Sequence, residues 1–566
     1  MSTQPREPPA AYHNGSSEYG GERGVYDDKS GSPNVVPGGE YDAHETAPGE
    51  QRELNRSLKG RHMQMIAIGG AIGAGLFVGS GGALESGGPA SLVICFIIIG
   101  IQLLLTMQAL AELGVMFPVN GAFYQYCVRF IDPSWGFACG WDYAIQWLTI
   151  LPFEITAASI TISFWKTGAD TNVGVWITVF LVALAVVQIF GVRGYGEVEF
   201  VLSIIKITAC TGFIILAIVI DCGGVPTDPR GYIGAHYWYD PGAFRNGFKG
   251  FCSVFVTASF AFGGTELTGL AAAEAANPLK SIPRATKQVF WRITFFYVVC
   301  LLMVGLIVPS DDPSLLNSSG ANTKYSPFVI AINLAGIKTL PSIFNVVICI
   351  SVLSVANSSA FASTRTMQAL ALQGMAPKFL AYVDKHGRPI YCVIIQLLFG
   401  LLAFVGEAGA EGTFFDWLLA FSGLANFFIW GSICFAHIRF RAGWKAQGHS
   451  LNELPYLATF GTTGSWIGLG LNMLCLMASF YTAVWPIGSK PDAEYFFEEY
   501  LAAPLIAVLY LGWKIWTRDP NIFIPASKMD VTSGMRIGIE EMRELALTKR
   551  DMSWKGLPMR IVHALI

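Results

Sequence analysis

Read for hydrophobicity alone, the chain alternates apolar runs with short polar connectors. The runs lie at 63–83, 88–111, 136–164, 173–192, 198–220, 250–272, 290–309, 340–364, 391–406, 413–437, 464–485 and 500–517. Each approaches the roughly 20 residues that cross a bilayer as a helix. Helices satisfy their own backbone in lipid, so twelve such runs predict an all-α polytopic membrane protein. Residues 1–60 carry no such run. They are polar, rich in Pro, Gly, Ser and acidic residues, and predict a disordered tail rather than a signal peptide. The first apolar helix then serves as its own insertion signal.

An even number of crossings puts both tails on one side, and Lys and Arg decide which. Lys280, Arg284 and Lys287 follow the sixth run, Lys378, Lys385 and Arg388 the eighth, and Arg439, Arg441 and Lys445 the tenth. The end of the chain adds Lys514, Arg518, Lys528, Arg536, Arg543, Lys549 and Arg550. The opposite connectors are poorer: "GEAGAEG" has no base and "SKPDAEYFFEEY" only Lys490, although Arg230, Arg245 and Lys249 follow the fifth run. The balance predicts cytoplasmic termini. Asn317 then lies outside, in a sequon open to glycosylation, whereas Asn14, Asn55 and Asn357 do not. The stretch "SGMRIGIEEMRELALTKRDM" reads as a short amphipathic cytoplasmic helix.

Two of the runs are built against helix formation. "GGAIGAGLFVGSGG", 69–82, and "SFAFGGTELTGL", 259–270, each carry central glycines, and each glycine costs about 0.5–1 kcal/mol of helix relative to alanine. They open the first and sixth runs, the corresponding positions of two five-helix blocks of opposite orientation, which points to an inverted-repeat transporter. An unwound segment frees backbone groups that are tolerated in a membrane only where they line a cavity or meet a ligand. Freed N–H groups at a half-helix start suit a carboxylate and freed C=O groups suit an ammonium, so the pair suits a zwitterionic amino acid.

Composition agrees with a membrane protein and excludes other classes. Of 566 residues, 53% are hydrophobic and 14% charged, with mean hydropathy +0.47. The formal charge of −3 says little in a membrane protein, where the placement of Lys and Arg matters. With no basic stripe and no zinc spacing, neither a nucleic-acid partner nor a metal site is expected. Eleven cysteines are scattered, mostly in apolar runs, without a CxxC pair, and read as packing residues. No nucleophile–base pair or cofactor motif suggests an enzyme; no cofactor is expected.

Ionisable residues inside apolar runs are expensive and mark function. Glu154 interrupts the third run and is assigned to substrate binding or proton coupling. Glu266 sits beside the second glycine break, as organiser of that break or as proton carrier. Lys206, mid-run in "VLSIIKITACTGF", is too far from either end to snorkel and is assigned to proton coupling. Ser351, Ser354 and Asn357 in the eighth run and Ser422 in the tenth are further polar candidates.

The stretches "LKGRHMQMIAIGGAIGAGLFVGSG", "FPVNGAF", "WDYAIQWLTILPFEITAAS", "FGGTELTGLAAAEAANPLKSIPRA", "SVANSSAFASTRTMQALALQGMAPK" and "FSGLANFFIWGSICFAHIRFR" resemble the fungal amino-acid permeases of the amino acid–polyamine–organocation superfamily. The resemblance runs from about Leu58 to Trp516, and the third stretch looks most like the general amino-acid permeases. It implies two inverted five-helix repeats plus two C-terminal helices. On this chain those are 61–221 and 250–445, an extracellular loop at 222–249, a helix pair at 464–517 and a cytoplasmic tail at 518–566. It also implies proton-driven amino-acid import at the plasma membrane, regulated through ubiquitination by ligase adaptors at the tails. Lys29, the one lysine before Lys59, is the N-terminal candidate for that mark.

By the same resemblance, the backbone of Ala71, Ile72, Gly73, Ala74 and Gly75 holds the substrate carboxylate. Phe260, Ala261, Phe262, Gly263 and Gly264 contribute to the ammonium site. Phe260 matches a gating aromatic, with Phe262 as the neighbouring alternative. Gln146 occupies a position that tunes side-chain selectivity, Ser422 lies near the side-chain pocket, and Ser354 is placed in the site. Superfamily members with a lysine at the Lys206 position are thought to couple protons through it. Two other classes stay open at this point: an amino-acid sensor with the same fold, and an exchanger or polyamine carrier without proton coupling.

Overall fold

The structure, a computed structural model, describes residues 65, 69–119, 121–270, 278–316, 326–408 and 411–535. Lys29 and Asn317 lie outside the described residues, as do the side chains of Lys280, Arg284 and Lys287. So does all of the helix expected over 533–552 beyond Met535; its first residues, 533–535, are not helical. Among the described residues all regular structure is helical. The principal helices are α1 (Gly75–Met116), α2 (Ala122–Phe130), α3 (Pro133–Ile162), α4 (Val173–Ile189), α5 (Gly191–Asp221), α6 (Gly247–Phe262), α7 (Pro278–Ile307), α8 (Leu340–Leu372), α9 (Ile390–Gly400), α10 (Glu411–Ala446), α11 (Gly461–Val484), α12 (Ala493–Tyr500) and α13 (Ala502–Thr517).

Seven helices among these residues are long and apolar enough to cross a membrane, or eight if α12 and α13, bent by 71°, form one span. Twelve runs were expected, and the difference has identifiable places. The runs at 63–83 and 88–111 meet in α1, which is helical through the expected connector and broken only at Gly88 (φ 81°, ψ 170°). Pro89 removes a backbone donor there and disfavours helix at the residue before it. The groups freed by the break are satisfied from outside: Ala90 N–H donates to Ala243 O at 2.9 Å, and Arg245 N–H donates to Gly87 O at 2.9 Å. The run at 290–309 falls largely in the second half of the 30-residue α7, whose apolar part is Thr294–Ile307. The runs at 173–192 and 391–406 are apolar helices of fewer than 18 residues, the latter over Ile390–Val405. The last of these tightens into a 3₁₀ helix from Leu401. The run at 500–517 is the bent pair.

Local chemistry sets where helices start. Asp132 accepts from Trp135 N–H at 3.1 Å and Pro133 occupies the first turn, so α3 begins with a cap and a residue that needs no donor. α3 and α8 share the most extensive helix–helix contact. The exterior is apolar: Val175, Val179, Val182, Val186, Ile204, Ile215 and Ile218 are exposed on α4 and α5. The interior holds Glu112, Glu154, Glu199, Lys206 and Glu266, all fully or nearly fully buried. An apolar exterior around an apolar core that also holds buried charges is the arrangement of a multi-pass membrane protein. All eleven cysteines are free and ten are buried, as packing residues are.

One buried ion cluster ties α1, α10 and α11 together. Arg441 reaches Glu112 through two bonds of 2.8 and 2.6 Å, Ala458 N–H donates to the same carboxylate at 2.6 Å, and His437 Nε2 lies 3.0 Å from it. His437 Nδ1 contacts Ser465 Oγ at 2.7 Å. Removing one partner of a buried pair strands the other. Arg441→Ala is therefore expected to cost about 3–5 kcal/mol, read as a lowered melting temperature of the purified protein in detergent. A shift below about 1 kcal/mol would place the pair in the range of exposed ion pairs instead.

Candidate functional site

Two interrupted helices meet at the centre of the fold. The first is helical at 69–71, loses helical form at Ile72 and Gly73, and resumes as a π-turn over Gly75–Gly79. This break is narrower than the expected 71–75. In the second, Phe260, Ala261 and Phe262 still belong to the last turn of α6. The interruption is Gly263–Glu266, before a short helix at Leu267–Leu270. The expected break therefore begins three residues early; a helix end releases the carbonyls of its last turn in either case.

The glycines are explained by contact between the two backbones. A Cβ on Gly75 would lie 2.6 Å from Ala261 Cα. Gly264 adopts φ +92°, and a Cβ there would lie 2.6 Å from Gly70 O. An L-residue at Gly264 is excluded twice, by conformation and by space. Tyr297 of α7 joins the same two segments: its hydroxyl lies 2.8 Å from Ala71 O and 2.6 Å from Ala261 O. One hydroxyl has one proton, so it serves two carbonyls with a single donor.

Glu266 holds the second break. Its carboxylate accepts from Tyr143 Oη at 3.2 Å, Gly264 N–H at 3.2 Å and Trp430 Nε1 at 3.4 Å. These donors tie it to α3, to the second break and to α10. Lys206, midway along α5, donates to Gly69 O at 2.6 Å, at the end of the first interrupted helix. Glu199 sits two turns before it, fully buried, receiving hydrogen bonds from Ser354 Oγ and, at 3.4 Å, from Asn357 Nδ2. Lys206 interacts electrostatically with both Glu199 and Glu154.

Between the breaks lies a cavity lined by Gly70, Ala71, Gly75, Gln146, Trp147, Ile150, Glu154, Phe260, Gly263, Val355 and Asn426. Its free space is about 290 Å³, including the part open to solvent. Of the expected residues, Ala71, Gly75, Gln146, Glu154, Phe260 and Gly263 are in this wall. Ile72, Gly73, Ala74, Ala261 and Gly264 shape the breaks behind it. Phe260 packs edge-on to Phe153 at 5.0 Å, whereas Phe262 packs edge-on to Tyr297 and tilted against Phe96, and is not among the residues of the wall. Ser354 belongs to the Glu199 group, and Ser422 meets the wall only by accepting from Gln146 through its backbone carbonyl at 3.0 Å. Ser351 bonds its own helix at Val347 O.

Sequence reasoning passed over Tyr297, Glu199, Trp147, Val355 and Asn426. Glu199 had a signal: it precedes Lys206 by seven residues, on the same face of one helix. A tyrosine in an apolar helix, or an asparagine within "LANFF", carries none that separates it from packing.

Interrupted helices facing each other across a small central cavity define a membrane carrier with a central site. The profile of the amino acid permease family matches residues 62–524. The general amino-acid permease GAP1 of Saccharomyces cerevisiae is 52% identical over 90% of this chain and 86% of its own length. The general amino-acid permease GAP2 of Candida albicans is 53% identical over 85% and 82%. The cationic amino acid transporter 1 of Schizosaccharomyces pombe is 53% identical, again over 85% and 82%. The chain belongs to the amino acid permease family. Its fold resembles that of the Eremococcus coleocola manganese transporter, with TM-score 0.51 and 12% identity, covering 81% of this chain and 93% of that one; the likeness is one of fold alone.

Gly264→Ala is expected to cost at least about 2 kcal/mol through its positive φ and the opposing carbonyl, and to reduce uptake of any substrate more than about tenfold. Gly82→Ala, where nothing lies within 4 Å of an added Cβ, is expected to be neutral or stabilising. Equal behaviour of the two variants, in thermal unfolding and uptake, would show that contact between the breaks is dispensable.

Proposed function

We propose that this chain is a proton-coupled amino-acid importer of the plasma membrane, of broad specificity, working by alternating access. In this reading the chain crosses twelve times, in two inverted five-helix repeats and a C-terminal pair, with both termini cytoplasmic. The amino-acid substrate follows from the family. Similarity to two general amino-acid permeases supports broad specificity.

The observation that carries proton coupling is the 2.6 Å bond from Lys206 to Gly69 O. A charge-assisted hydrogen bond is roughly twice as strong as a neutral one. A protonated Lys206 therefore holds the segment 69–71, and loss of its proton weakens that hold. The held segment presents Ala71 to the cavity, so substrate binding and the state of Lys206 act on one piece of backbone. Phe260, in the cavity wall, is the aromatic proposed to close over the substrate.

Uptake of radiolabelled amino acids into yeast lacking its own permeases tests the reading. The wild type is expected to accumulate substrate in a protonophore-sensitive way. Lys206→Ala is expected to lose at least about tenfold of that accumulation while reaching the surface. Protonophore-insensitive counterflow would replace symport by exchange. Signalling without accumulation would make the protein a sensor.

A further inference from the structure

A chain of three polar groups fixes which end of Gln146 faces the substrate. It begins at Ser259 O, near the end of α6, a backbone carbonyl that can only accept. Asn426 Nδ2 donates to it at 3.0 Å. The asparagine amide is thereby oriented, and its Oδ1 is left to accept from Gln146 Nε2 at 2.8 Å. Gln146 Nε2 also donates to Ser422 O at 3.0 Å, a second group that can only accept. Both amide protons of Gln146 are spent on these two acceptors. Flipping either amide would set two acceptors against each other and waste a donor.

What remains of the Gln146 amide is its oxygen. Gln146 Oε1 is buried and has no hydrogen-bond partner among the described residues, on a residue that lines the cavity. Glu154 Oε2, in the same wall one turn from Ile150, is also buried and unpartnered among the described residues. Both Gln146 and Glu154 are 1% exposed. A buried acceptor left unmet costs free energy that a donor brought by a ligand recovers.

We infer that Asn426 is a positioning residue for substrate selectivity: it locks Gln146 with its carbonyl toward the cavity, so the site favours amino acids whose side chains donate hydrogen bonds, ammonium or amide, over isosteres that only accept or do neither. This rests on the central cavity being the amino-acid site. The α-carboxylate and α-ammonium are left to the two breaks, and the relay acts on the side chain alone.

The test is ligand-induced thermal stabilisation of the purified full-length protein with isosteric pairs, glutamine against glutamate and lysine against norleucine, with alanine as reference. In the wild type the donor member of each pair is expected to bind about tenfold or more tightly. Asn426→Leu frees Gln146 to rotate, and both ratios are expected to fall to within about threefold of unity, each ratio being taken within one variant so that a general loss of affinity cancels. Gln146→Leu is expected to do the same, and the double variant no more than either single one, because Asn426 acts through Gln146. Should Asn426→Leu fail to fold, Gln146→Leu and the wild-type ratios decide. Glutamate and norleucine binding as well as their partners in the wild type would overturn the inference, as would full additivity of the two substitutions. Intact ratios in a protein that accumulates no amino acid in cells would support the inference while contradicting the transport reading.

Discussion

Everything in this molecule is arranged around the contact between two interrupted backbones. Gly264, at φ +92°, leaves room for Gly70 O, and Gly75 lies against Ala261. Breaking a helix inside an apolar bundle releases polar groups that the surroundings must satisfy. The protein satisfies some with Tyr297, Glu266 and Lys206, and Gly70, Ala71, Gly75 and Gly263 of the two breaks line the cavity. In the proposed reading, a ligand that carries donors and acceptors completes the two gaps. A small zwitterion has both, close together.

Buried charge follows the same geometry. Glu266 sits under one break with three donors, and Lys206 holds the end of the other. Glu199 adds a carboxylate beside Lys206, secured by Ser354 and Asn357 of α8. A charge at such depth is costly unless it is paired and its hydrogen bonds are met, and its retention marks function. Here the group held is three residues of helix at the edge of the cavity. The cluster at Glu112 is different in kind: bidentate and closed by a backbone donor, it fastens helices and leaves no group directed at the cavity.

The sequence was most legible where physics is strict. Apolar run length located helices, because lipid forbids unsatisfied backbone, and glycines in those runs located the breaks. It was less legible where one residue changes a helix boundary. Gly88 and Pro89 bend α1 without ending it, since residues 243–245 arrive from far along the chain to satisfy the bend. Phe260 to Phe262 remain helical because a break needs only the glycines that follow. The charged residues Glu154, Lys206 and Glu266 announced themselves by their cost in apolar surroundings. Tyr297 and Asn426 did not, since a tyrosine or asparagine among apolar residues gains its meaning from partners on other helices.

The central claim is that the breaks recognise the α-carboxylate and α-ammonium of an amino acid. The most direct measurement is binding of alanine, alanine methyl ester and N-acetylalanine to the purified protein, by calorimetry. Each modification removes one charge and leaves the side chain alone. The account predicts that alanine binds and that either modification weakens binding by about two orders of magnitude or more. Comparable affinity for all three would contradict it, and would place the recognition of substrate somewhere other than the interrupted helices.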